Sequence, residues 1–136
     1  MTEELFVGIA RAPGGQVGRG VCIDGLGRPV GQFCVAWSGE KLLQMLGRVR
    51  VSASEELEIT IGLEAEDVDD ELQEALLRSG HLAKTIERGV VDGLYGCVAR
   101  RRRDVRVRAQ CVAQLLLLAD YPPRELRPGE SRPDRW

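Results

Sequence analysis

Zinc chemistry has little to work with in this sequence. There is a single histidine, His81, with no partner at ligand spacing, and the four cysteines contain no CxxC pair. A structural zinc site needs four organised sulfur and nitrogen ligands. Aromatic residues are scarce as well, with two Trp, two Tyr and two Phe in 136 residues. Stacking platforms for single-stranded nucleic acid are built from such rings, so Trp37 and Trp136 read as core and tail residues. No apolar run approaches the roughly 20 residues of a membrane span, and the acidic opening "MTEEL" is unlike a secretory signal. Excess charge of one sign is also missing, because the formal net charge is only -2. No internal repeat is visible.

What is present suits one globular domain. A chain of this length can bury roughly 68% of its unfolded surface. We assign residues 1–126 to the domain and 127–136, "PGESRPDRW" with its preceding residue, to a flexible tail that has little to bury. Cys22, Cys34, Cys97 and Cys111 are expected to be buried and reduced, which points to a cytoplasmic protein. Neither a membrane nor a small-molecule substrate is expected as a partner.

The apolar run Leu5–Ile9 predicts a strand buried on both faces, leading into a Gly/Pro turn. "GVCID" and "RPVGQFCVAW" read as two further strands joined at "DGLG", where Gly25 and Gly27 tolerate positive φ. Ser38 suits the N-cap of a helix with Leu42, Leu43, Leu46 and Val49 on one face. In "LEITIGLE" the apolar residues alternate, so Glu64 closes a fourth strand. A helix is predicted from about Asp67 to Ser79, then a fifth strand at "HLAKTI". The stretch "RGVVDGLYGCVA" stays ambiguous, because its glycines weaken a helix assignment. Val105–Ala119 forms the last helix, stopped before Pro122 and Pro123. A meander followed by alternating α/β units is the layout of an α/β, ribonuclease H-like fold with a mixed five-stranded sheet and flanking helices. Other α/β folds with an antiparallel start share that order.

"GGQVGRG" has the glycines of a loose phosphate loop but lacks a Walker lysine and runs into a strand, so these are turn residues. The basic run "ARRRRDVRVR" has two readings. It is either a surface for nucleic-acid phosphates or a loop that stays solvated.

Three segments carry a family resemblance: "LFVGIARAPGG...GRPVGQFCV", "ITIGLEAEDVDDELQEALLRSGH" and "RRRDVRVRAQCVAQLLLLADYPPRELRPGES". In order and spacing they resemble the N-terminal, RuvC-like domain of DEDD transposases, insertion sequence family one-hundred-and-ten. The resemblance implies a ribonuclease H-like domain linked to DNA transposition and recombination, acting on DNA with Mg²⁺ and a guide RNA and tending to form homo-oligomers. It also implies where the acids should stand. The first family aspartate falls on Ala10, the glutamate on Glu64, and the helix aspartates on or near Val105 and Arg108. Glu64 is thus the one retained catalytic acid. By the same resemblance, the chain is expected to lack the family's C-terminal domain.

One carboxylate cannot hold two Mg²⁺ ions, which shed water reluctantly. The resemblance therefore leads to the expectation of a catalytically inactive domain without cofactor or metal, at most binding DNA or guide RNA. The arginines expected to do so are Arg100, Arg101, Arg102, Arg103, Arg106 and Arg108. Two alternatives stay open. One is an active, divergent metal-dependent nuclease or resolvase that recruits Glu66, Asp67 or Asp104. The other is a non-enzymatic module that dimerises through an edge strand or a helix face.

Overall fold

The computed structural model describes residues 3–52, 57–98, 104–118 and 124–125. Trp136, the tail and Arg100 to Arg103 lie outside them. The chain folds as an α/β unit around one mixed sheet. In chain order the elements are β1 (Glu3–Arg11), β2 (Val17–Asp24), β3 (Pro29–Ala36), α1 (Gly39–Ser52), β4 (Leu57–Glu64), α2 (Asp70–Arg78), β5 (Leu82–Ile86), α3 (Arg88–Val98), α4 (Val105–Leu117) and β6 (Arg124–Glu125). The sheet order is β3-β2-β1-β4-β5-β6. β1, β2 and β3 form an antiparallel meander, and β4 and β5 continue parallel to β1. Five strands match the expectation, and the two-residue β6 adds a short antiparallel edge beside β5.

Side-chain alternation sorts the sheet into two buried faces. Val7, Ile9, Ile59, Ile61 and Leu63 pack with Leu42 and Leu46 of α1 and Leu72 and Leu76 of α2. On the other face, Ala10, Val21 and Ile23 pack against Ala109 and Ala113 of α4. Ile86, Val91 and Val112 form a neighbouring cluster that includes α3.

The approach of α4 to the sheet is set by two glycines that are register partners across β1 and β4, Gly8 and Gly62. A Cβ on Gly8 would stand 2.1 Å from the Ala109 carbonyl oxygen, and one on Gly62 would stand 2.7 Å from the Leu116 side chain. Their missing side chains form the trough in which the helix lies. That placement brings the first turns of α4 over the C-terminal ends of β1 and β4.

Ser38 caps α1 as expected, its Oγ accepting from the Lys41 N–H at 3.1 Å. The side chain of Val49 lies outside the described residues. The helix expected from about Asp67 begins later. Ala65–Asp67 make a 3-10 turn, and α2 starts after Asp69, whose side chain accepts from the Leu72 N–H at 2.8 Å. The start lies two residues after Asp67 because Asp69, not Asp67, supplies the N-cap hydrogen bond. The ambiguous segment is the helix α3, and α4 ends at Leu117 rather than Ala119. In the β2–β3 turn only Gly27 takes positive φ, at 82°.

The cysteines divide. Cys22 and Cys111 are buried and Cys34 and Cys97 are exposed, all four free, which corrects the expectation that all are buried. Cys34 sits on the edge strand β3, and Cys97 lies on the exposed side of α3. No helix among the described residues is long and apolar enough to cross a membrane.

Candidate functional site

The C-terminal ends of β1 and β4, with the starts of α3 and α4, enclose a cleft of about 720 Å³. Glu64 lies on its floor, only 2% exposed. Burying a lone carboxylate to that degree is costly unless it is paired and hydrogen-bonded. The pairing comes from two arginines. Arg108 grips both oxygens, its Nε donating to Oε2 at 2.8 Å and its Nη2 donating to Oε1. Arg88 Nε donates to Oε1 at 3.2 Å.

The two guanidinium groups then reach outward to further acids. Arg88 Nη2 donates to Asp67 Oδ1 at 2.6 Å, and Arg108 Nη2 donates to Asp92 Oδ1 at 2.7 Å. The ring of Tyr95 lies under Arg108, with its centroid 5.4 Å from the guanidinium carbon. The Tyr95 hydroxyl accepts from the Asp104 N–H at 2.5 Å, which ties α3 to the start of α4.

Electrostatics follow from this geometry. The hydrogen bond to Glu64 raises the pKa of Arg108 above the ordinary arginine value, and Asp92 adds to the rise against the opposing effect of burial. Burial likewise opposes the charge on Arg88, but Asp67 and Glu64 outweigh it and the pKa is raised. Asp67 behaves differently: burial pushes its carboxyl upward, and Arg88 only partly offsets that.

The sequence-based site residues can now be located. Ala10 is fully buried against Ala109 and Ala113, on the face of β1 that also bears Gly8, one strand over from Glu64. Val105 and Arg108 both line the cleft. Arg106 points elsewhere. It is exposed, and its side chain lies 3.9 Å from Asp104, whose carboxylate also accepts from the Arg106 N–H. The positions of Arg100, Arg101, Arg102 and Arg103 fall outside the described residues.

The acids offered for a divergent nuclease are all engaged. Glu66 accepts from the Arg88 N–H at the start of α3, at 3.1 and 3.3 Å. Asp67 faces Arg88, and Asp104 caps α4. Glu64 and Asp67 are separated by one guanidinium, Glu64 and Asp92 by another.

The Mg²⁺ implied by the family resemblance does not fit these residues. Both oxygens of Glu64 already accept from cations, and Ala10 and Val105 have no donor atom to offer. Among the described residues, no group of three His, Cys, Asp or Glu side chains is arranged to hold a metal. A divalent ion here would stand against two fixed positive charges in a poorly screened interior.

Four cleft residues escaped the sequence reading: Arg11, Arg88, Asp92 and Tyr95. The last three recur at helical spacing (88, 92, 95), a signal hidden because the segment's glycines argued against a helix. Arg11 follows Ala10 directly. Its Nε donates to the Gly15 carbonyl at 2.9 Å and its guanidinium lies 5.5 Å from the Trp37 ring centroid. Trp37 is thus a half-buried core residue with a cation stacked on it. Compared with protein-family models and with curated proteins, the sequence matches none.

Proposed function

We propose that this chain is a degenerate RuvC-like domain of the DEDD transposase type, one that binds nucleic acid and does not cut it. The observation that carries the reading is the pairing of Glu64 with Arg108. A carboxylate at the end of the fourth strand, beside the end of the first, stands where such a domain has its glutamate. The strand order β3-β2-β1-β4-β5 is that of a ribonuclease H-like sheet and supports the same assignment. The neighbouring acids are replaced by Ala10, Val105 and Arg108, so the charge that would attract metal ions is neutralised from within.

Exposed cations, Arg11 at the cleft and Arg106 outside it, then give the domain what remains of its chemistry. Arg11 and Arg106 are exposed, and Arg11 forms no ion pair among the described residues. Arginine forks suit phosphate oxygens, which position a backbone without reading its sequence. Arg100 to Arg103 extend the same positive character along the chain.

Fluorescence anisotropy with labelled single-stranded DNA, duplex DNA and RNA, across a salt series, tests this. Affinity should fall linearly in a log–log plot, with a slope of roughly −0.7 to −0.9 per phosphate neutralised. Arg11→Ala and Arg106→Ala should each reduce the slope. The added oligonucleotide should stay intact in Mg²⁺. Absence of binding, salt-insensitive binding, or cleavage lost in Glu64→Gln would overturn the proposal.

A further inference from the structure

Seven charged side chains line the cleft, and six of them are held in ion pairs. The seventh is Arg11, which forms no ion pair among the described residues. It is nevertheless held in place. Its Nε donates to the Gly15 carbonyl at 2.9 Å, and its guanidinium carbon stands 5.5 Å from the centroid of the Trp37 ring. Gly15 has a φ of 77°, and a Cβ there would come within 2.9 Å of Arg11 Nη2. Only a glycine lets the β1–β2 loop lie against the guanidinium in this way. With Nε bound to a carbonyl, the two Nη groups remain as charged donors whose direction is set in advance.

The wall formed by α3 and α4 carries the other sign. Asp92 and Asp104 have side chains 57% and 44% exposed. Asp92 accepts from Arg108 through Oδ1, and its Oδ2 accepts nothing among the described residues. The floor is neutralised, because Glu64 is paired with Arg88 and Arg108. Ala12, Pro13 and Val105 supply an apolar part of the lining. A ligand that matches this surface carries an anion at one end and N–H donors at the other. Nucleotides have that layout, with a phosphate on the sugar and an amino group on adenine, cytosine or guanine. The cleft volume of about 720 Å³ lies within the roughly 300–1,000 Å³ of small-ligand sites. A floor closed by paired side chains stops a strand and does not let it run through, and a duplex is too bulky to enter.

We propose that the cleft seats one nucleotide with a terminal phosphate, the phosphate on Arg11 and the amino edge of the base on Asp92. A strand end and a free mononucleotide share that chemistry. The choice of a strand end rests on the nucleic-acid reading above; the nucleotide seat itself does not.

Isothermal titration calorimetry on the full chain separates the two. The ligands are the four deoxynucleoside monophosphates, deoxyadenosine, and short single strands phosphorylated at the 5′ end, the 3′ end or neither. Deoxyadenosine monophosphate should bind about tenfold more tightly than deoxyadenosine, the worth of one charge-assisted contact. Thymidine monophosphate, which lacks the amino group, should bind more weakly than the other three. A strand phosphorylated at one end should show the same gain over its unphosphorylated form. Arg11→Ala should abolish the phosphate gain. Asp92→Ala should erase the discrimination against thymine and keep the phosphate gain. Equal affinity with and without the terminal phosphate overturns the proposal, as does a gain that persists in Arg11→Ala. So does thymidine monophosphate binding as tightly as the others. Strands that bind with salt dependence but no phosphate gain sink this inference and leave the nucleic-acid reading intact. Mononucleotides that bind while no strand does sink that reading and leave the nucleotide seat standing. Absence of all binding overturns both. If Arg11→Ala misfolds by circular dichroism, Asp92→Ala and the wild-type comparisons decide.

Discussion

Arg108 holds both carboxylate oxygens of Glu64, and it does so from the first turn of α4 across to the end of β4. The helix can deliver that side chain because Gly8 and Gly62 let it lie flat on the sheet. A backbone feature of two strands thus decides which charge faces the buried acid.

Removing Arg108 leaves the buried Glu64 with only the longer contact to Arg88, at 3.2 Å. Arg108→Ala should cost about 3–5 kcal/mol in urea unfolding. Replacing both, as Arg108→Met with Glu64→Leu, should cost markedly less than the sum of the single changes. Additive losses would mean that the two residues are not coupled.

The two glycines make separate predictions. At Gly8 the obstruction is the backbone of α4, which cannot yield, so Gly8→Ala should destabilise by about 3 kcal/mol or more. At Gly62 the obstruction is the Leu116 side chain from Cγ outward and not backbone, so Leu116 must shift within the core, and Gly62→Ala should cost about 1–2 kcal/mol. Thermal melts of the two variants should rank in that order.

Asp67 gives a pH dependence of defined sign. Burial raises its pKa in the folded protein above the ordinary 3.8, so the native state holds a proton that the unfolded chain releases. Its contribution to stability is fully present below pH 3.8 and declines as pH rises through the folded value. The stability of the wild type relative to Asp67→Asn should therefore fall between acidic and neutral pH. Urea melts at the two extremes measure it, and a difference that grows with pH would reverse the assignment.

Much of the architecture is legible in the sequence because it follows from periodicity. Alternation in "LEITIGLE" separated the two faces of β4 and put Glu64 at its end, opposite Ile59, Ile61 and Leu63; the burial of Glu64 on that second face was not legible in it. The apolar face of α4 put Ala109, Val112 and Ala113 against the sheet, whereas Val105 and Arg108, which line the cleft, were singled out by the resemblance and not by periodicity. α3 was obscure because three glycines lower its helix propensity, and its stability comes instead from packing against α4. That one element supplies Arg88, Asp92 and Tyr95. Pairing was the other hidden quantity. Arg108 read as a cation available to phosphate, yet its donors are directed at Glu64 and Asp92, because contact between residues 44 apart depends on tertiary placement.

The central claim is that the buried carboxylate is satisfied by guanidinium groups and has no capacity for divalent ions. Titrating the protein with Mn²⁺ while following the free-ion electron paramagnetic resonance signal tests it most directly. The signal should match that of Glu64→Gln at every Mn²⁺ concentration. Loss of free Mn²⁺ equivalent to two ions per chain, abolished by Glu64→Gln, would contradict the account.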